Sequence, residues 1–181
     1  MFDKISLLKG IIIFILAVFI TAGATFFSLG LLEKSTPTSR SGQELVTKKA
    51  PSFTGVDLYG NSVSLDDYTE NNLVILNFWA SWCPPCREET PGMERIWKKY
   101  QNNDVVLIGI NVQDSLEDAE SYVDEFKITF PIILDIDGST SIDYGVTGLP
   151  VSFLLNSEGR IIDRWVGAIS ESRLENWILN R

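Results

Sequence analysis

The 181-residue sequence has no histidine and only two cysteines. Without histidine there is no Ser-His-Asp triad, no Cys-His dyad, no imidazole acid–base catalyst and no His-Glu-x-x-His zinc site. Two thiolates cannot fill a tetrahedral metal site, and no sequence feature places carboxylates to complete one. An excess of basic charge is also missing. The formal net charge is −9, which provides no footprint for nucleic-acid phosphates and argues against a nucleic-acid partner. The length suits one domain of about 100–150 residues plus an appendage.

What is present is concentrated in Trp82-Cys83-Pro84-Pro85-Cys86, which holds both cysteines. A hydrophobic run, Leu73 to Trp79, leads into it, and Met93, Ile96, Trp97 and Tyr100 behind it recur at helical spacing. The pair therefore lies where a buried strand ends and a helix begins, and first-turn amides and the helix dipole there favour negative charge. A free thiol of pKa about 8.5 falls to about 3.5–7.5 in such Cys-x-x-Cys sites. Pro84 and Pro85 suit a first helical turn, where a missing N–H costs little. The pattern predicts a redox-active dithiol. A structural disulfide would close too short a loop to be a strong staple, and a metal site would lack ligands.

The chain opens with a short tail, residues 1–9, and an uncharged apolar segment, 10–32. At about 1.5 Å per residue this is long enough to cross a hydrocarbon core of about 30 Å, so it is expected to be a transmembrane anchor. The rival is a cleaved signal peptide, since Ala22-Gly23-Ala24 has the small-x-small form of a cleavage site, although Phe26 to Leu32 continue the apolar run beyond it. Lys4 and Lys9 precede the span while Lys34, Arg40, Lys48 and Lys49 follow it, so basic residues do not fix its orientation. A single N-terminal anchor ahead of a folded domain most often exports that domain, giving a cell-membrane protein with its catalytic domain on the extracytoplasmic side. Residues 33–49 read as a linker and 50–181 as the domain.

Within the domain, Phe53 to Leu65 reads as a hairpin around Gly60-Asn61, and Asp66 to Asn72 as a polar connection. Val105 to Asn111 is a strand. Ser115 begins a helix whose inner face is Leu116, Ala119, Val123 and Phe126. Pro131 to Leu134 is a short strand, followed by a turn and a helical piece near 139–144. Val151 to Leu155 and Arg160 to Val166 form a hairpin, and a last helix from Ser170 turns Leu174, Trp177 and Ile178 inward. The expectation is an α/β fold whose central sheet is covered on both faces.

Strand, Trp-Cys-x-x-Cys, helix, strand, helix, proline, hairpin and terminal helix together resemble the thioredoxin fold over roughly residues 50–181. The run Asn77 to Glu89 is similar to the active-site signature of the membrane-tethered thiol-disulfide oxidoreductases of the TlpA/ResA/CcmG (DsbE) type. So are the N-terminal β-hairpin and the extra strand–helix insertion within 105–135. The resemblance implies a redox-active disulfide, Cys83–Cys86, with no other cofactor and no metal. Cys83 would be the exposed nucleophile and Cys86 the resolving thiol. It also implies a cis peptide bond before Pro150, leaving the Leu149 backbone to pair with an extended substrate, where an ordinary trans strand-opening proline is the alternative. Trp82, Pro84 and Pro85 would line the substrate surface, as would Trp79 unless it packs in the core.

Ordinary thioredoxins carry a buried aspartate where this chain has Asn77, which can orient or hydrogen-bond but cannot exchange a proton. ResA-like members instead place a glutamate one turn after the second cysteine, here Glu89. It shares a helix face with Cys86 and would take that thiol's proton, unless it is a solvated first-turn residue like Glu88. The implied partners are a disulfide-containing protein substrate, with apocytochrome c as one candidate, and a membrane electron donor. Alternatives are a reductase or oxidant for other exported proteins, in a spore-envelope or repair role, and a non-enzymatic metallochaperone or apoprotein holder. The missing histidine weighs against copper carriage. A peroxidase site needs Thr-x-x-Cys, and Ser81-Trp82 precede Cys83 instead.

Overall fold

A computed structural model describes residues 42–180 and, ahead of them, Ile15 alone. The rest of the apolar segment 10–32 lies outside the described residues. Among those described, no helix is long and apolar enough to cross a membrane. The chain forms β1 (Thr54–Asp57), β2 (Ser62–Ser64), α1 (Asp66–Thr69), β3 (Leu73–Trp79), α2 (Pro84–Tyr100), β4 (Val105–Val112) and α3 (Leu116–Phe126). It continues through β5 (Ile132–Asp135), α4 (Ser139–Asp143), β6 (Val151–Leu155), β7 (Ile161–Val166) and α5 (Glu171–Leu179).

The strands make one sheet in the order β2-β1-β5-β4-β3-β6-β7. β3 is interior, parallel to β4 and antiparallel to β6. All seven of its residues are buried, and its period-two alternation sorts them between two cores. Leu73, Ile75 and Trp79 join the cluster that includes Met93 and Ile96 of α2, Tyr122 of α3 and Leu174 and Trp177 of α5. Val74, Leu76 and Phe78 join Phe53, Tyr144 and Phe153 on the other face. Asn77 falls by the same alternation on the α2 face, a polar side chain at an otherwise apolar position. The insertion expected within 105–135 is the α3–β5 unit, with β5 parallel to β4 and antiparallel to β1.

Three local readings differ from the sequence expectation. Residues 42–49, taken as linker, lie along β7. The Thr47 amide donates to the Ile161 carbonyl, the Ile161 amide donates to the Lys48 carbonyl, and Lys49 bridges to Arg160. Leu45 and Val46 pack against the second cluster and hold this segment down, with no periodicity to announce it. The connection after β2 contains the short helix α1, whose neighbour Leu65 is buried. In α3, Leu116 is exposed, and the buried pair is Ala119 and Tyr122. Tyr122 turns inward because its ring stacks on Trp79 at 4.4 Å and its hydroxyl meets the Thr90 hydroxyl at 2.6 Å. That stacking settles Trp79 as a core residue, 2% exposed. Gly109 makes room for it, since a Cβ there would lie 2.7 Å from the indole Nε1.

Candidate active site

β3 ends in the core, and Ala80 and Ser81 carry the chain from its C-terminal end to the first turn of α2. Cys83 is the helix N-cap, and its Sγ accepts the Cys86 amide at 3.3 Å. Pro84 and Pro85 occupy the first helical positions, where no intrahelical N–H is required. The two cysteines form a disulfide with Cα atoms 5.3 Å apart. The N-cap contact places a backbone donor on the Cys83 sulfur, and such a donor stabilises a thiolate when the bond is reduced.

The expected exposure of Cys83 is not what the disulfide form shows. Cys83 is 3% exposed and Cys86 fully buried. As N-cap and disulfide partner, the Cys83 sulfur turns toward its own helix and the core cluster rather than outward. Trp82 is the outward residue, 62% exposed, while Pro84 is exposed and Pro85 half-buried.

The Leu149–Pro150 peptide bond is cis, as the resemblance implies. Pro150 is buried, and its carbonyl accepts the Gly167 amide. Leu149, Trp82, Val112, Gln113, Ile142 and Val146 line a pocket of about 220 Å³ beside the dithiol loop. The lining is largely apolar, so it suits an uncharged segment more than a charged one. Trp82 and Leu149 thus line one pocket.

Glu89 lies one turn after Cys86 and is 5% exposed, while adjacent Glu88 is exposed. Its Oε1 accepts Asn77 Nδ2 at 2.8 Å, and its Oε2 accepts the Ile169 amide at 2.6 Å. Asn77 Nδ2 also donates to Ser152 Oγ at 3.1 Å. Burial pushes the Glu89 carboxyl up from 4.5 to about 7, against the opposing pull of the Ile169 and Asn77 hydrogen bonds. A carboxyl poised there exchanges protons at neutral pH, as a solvated glutamate would not. Asn77, which cannot titrate, orients it.

Of the residues the sequence singles out, the fold joins Cys83 to Cys86 and Asn77 to Glu89, and it sets Pro150 just before β6, the antiparallel neighbour of β3. Sequence reasoning missed Ile169 and Ser152, which approach from distant parts of the chain. It also missed Thr90, whose hydroxyl donates to the Cys86 carbonyl at 2.8 Å. Asp114 was missed too. Its carboxylate accepts the Ser81 amide at 2.6 Å, the Ser81 hydroxyl at 2.8 Å and Asn111 Nδ2 at 2.8 Å. Among the described residues no group of histidine, cysteine and carboxylate side chains could hold a metal ion.

Comparison with known proteins agrees with this geometry. The AhpC/TSA family matches residues 46–164. The thiol-disulfide oxidoreductase ResA of Halalkalibacterium halodurans is 34% identical over 166 residues, covering 91% of this chain and 89% of that protein. A crystal structure of a DsbE-type thiol:disulfide interchange protein from Chlorobium tepidum is 34% identical, covers 73% of this chain and 94% of that one, and superposes with a TM-score of 0.68. StoA from Bacillus subtilis is 30% identical, with 71% and 97% coverage and a TM-score of 0.63.

Proposed function

The chain belongs to the AhpC/TSA family as a thiol-disulfide oxidoreductase of the ResA and DsbE type, and from that premise we propose that it is a membrane-tethered reductant of exported protein disulfides. The likeness to the Halalkalibacterium protein spans 166 residues, more than the described domain holds, and so reaches into the segment before Gly42. With the apolar run 10–32, this supports an anchor and an extracytoplasmic domain. The favoured substrate is the disulfide between the haem-binding cysteines of apocytochrome c, carried over from the family resemblance.

In this reading the reduced Cys83 thiolate attacks one sulfur of the substrate disulfide. That bond breaks, a mixed disulfide forms, and the departing substrate sulfur takes a proton from solvent. Cys86 then gives its proton to the Glu89 carboxylate and attacks the Cys83 sulfur. The second substrate thiolate leaves, so two electrons have passed to the substrate and the Cys83–Cys86 disulfide remains. A membrane dithiol donor returns the pair to its reduced state. Trp82, Pro84, Pro85 and Leu149 form the surface along which an extended substrate lies, its backbone pairing beside Pro150.

The observation that carries the reading is Glu89, a buried carboxyl held near neutrality on the helix face of Cys86. The test is direct. Reduced full-length protein is mixed with an oxidised Cys-x-x-Cys-His peptide and, separately, with insulin. Reduction of the peptide to free thiols, faster than that of insulin, is the expected result. Equal rates favour a reductase of general exported disulfides. A peptide that stays oxidised overturns the apocytochrome proposal.

A further inference from the structure

The geometry points to Asp114 as a positioning residue for the loop that presents Cys83 and Trp82. The inference rests on Cys83 and Cys86 being the reacting pair and is indifferent to the direction of electron flow.

Asp114 follows β4 and directly precedes Ser115, the N-cap of α3. It plays no part in the cap. Ser115 Oγ performs that task by accepting the Asp118 amide at 3.1 Å. The Asp114 carboxylate reaches the other way, to Ser81, two residues before Cys83. It grips both polar hydrogens that Ser81 offers, the amide with Oδ2 and the hydroxyl with Oδ1. Hydrogen bonds to a charged acceptor are roughly twice as strong as neutral ones, so this clasp outweighs an ordinary loop contact.

The chain is bent to make the clasp. Gln113, immediately before Asp114, has φ of +49°, a left-handed conformation that a non-glycine residue seldom adopts. Gln113 is tied by its amide to the Asp135 carbonyl at 3.0 Å, and Asn111 Nδ2 holds the carboxylate from the side.

The clasp joins two chain segments that both line the pocket. Trp82 follows Ser81 and Gln113 precedes Asp114, and both residues line the 220 Å³ pocket together with Leu149. Fixing Ser81 to Asp114 therefore fixes the Trp82 wall relative to the Gln113 wall, and with it the approach to the Cys83 sulfur. A protein substrate must fit this opening, whereas a small disulfide reagent needs only the sulfur. Loss of the clasp should raise KM for protein disulfides more than it slows thiolate attack itself.

The experiment compares full-length wild type with Asp114→Ala and Asp114→Asn, using insulin and the small aromatic disulfide dithiobis(nitrobenzoate). The quantity read is the ratio of the two second-order rate constants, which does not depend on how much protein is folded. The ratio is expected to fall about tenfold in Asp114→Ala, mainly through KM, short of the about 10²-fold that a 1 Å misplacement of a reacting group can cost. In Asp114→Asn, which keeps an oxygen acceptor for Ser81, most of the ratio should return. An Ala variant with the wild-type ratio, or an Asn variant no better than Ala, overturns the assignment.

Discussion

Cys86→Ser is expected to convert the protein from a turnover catalyst into a trap. Cys83 can still attack, because its sulfur keeps the helix N-terminus and the backbone amide of residue 86 as stabilising donors. The mixed disulfide then has no resolving thiol, and it accumulates as a covalent adduct seen on non-reducing gels. Cys83→Ser should form no adduct and lose all exchange, since a hydroxyl of far higher pKa supplies no nucleophile near neutral pH. The N-cap position of Cys83, which Cys86 does not share, makes the asymmetry steep. Equal trapping by both single variants would contradict the assigned roles.

Glu89→Gln carries the second large effect. Taking the Cys86 proton as a positioned general base is worth about 10²-fold or more, so resolution should slow by that factor while the first attack by Cys83 proceeds. In the wild type, resolution should speed up as pH rises through about 7, where the carboxylate forms, and the Gln variant should lose that inflection. Stop-flow measurement of substrate thiol release separates the two steps. Stability moves in the opposite direction. The folded pKa is raised from 4.5 to about 7, so the folded protein holds this proton more tightly than the unfolded chain does. The stabilisation is fully present below about pH 4.5 and is lost as pH rises through about 7. At 1.36 kcal/mol per unit, the loss for the oxidised protein approaches about 3 kcal/mol. Thermal unfolding of Glu89→Gln should be flatter across that window. A wild-type slope in the Gln variant would remove Glu89 as its source.

The parts of the site that could be read from sequence are those encoded locally. An apolar run, a Cys-x-x-Cys and helical spacing fix the strand-to-helix junction by themselves, and the i, i+3 relation puts Glu89 on the Cys86 face. Whether Glu89 was buried depended on Ile169, Asn77 and Ser152, and only the folded sheet brings these together. Tyr122 shows the same limit. Hydrophobic periodicity selected Leu116 for the inner face of α3, but the stacking partner Trp79 and the hydroxyl partner Thr90 decided which aromatic turned in. Residues 42–49 had no period because a single strand bridge and a few backbone bonds hold them. Asp114 carries no local signal at all, and its partner Ser81 lies 33 residues back in the chain. The low exposure of Cys83 accompanies its place as helix N-cap and disulfide partner, which the local pattern does not encode.

The central claim is that this dithiol donates electrons, and the reduction potential of Cys83–Cys86 tests it most directly. Full-length protein would be equilibrated with graded dithiothreitol couples and the thiol fraction read by alkylation. A value near the reducing end of the range for this fold, about −270 mV or lower, is predicted. A value near −120 mV, about where the strong oxidant DsbA lies, would contradict it and make the protein a disulfide donor.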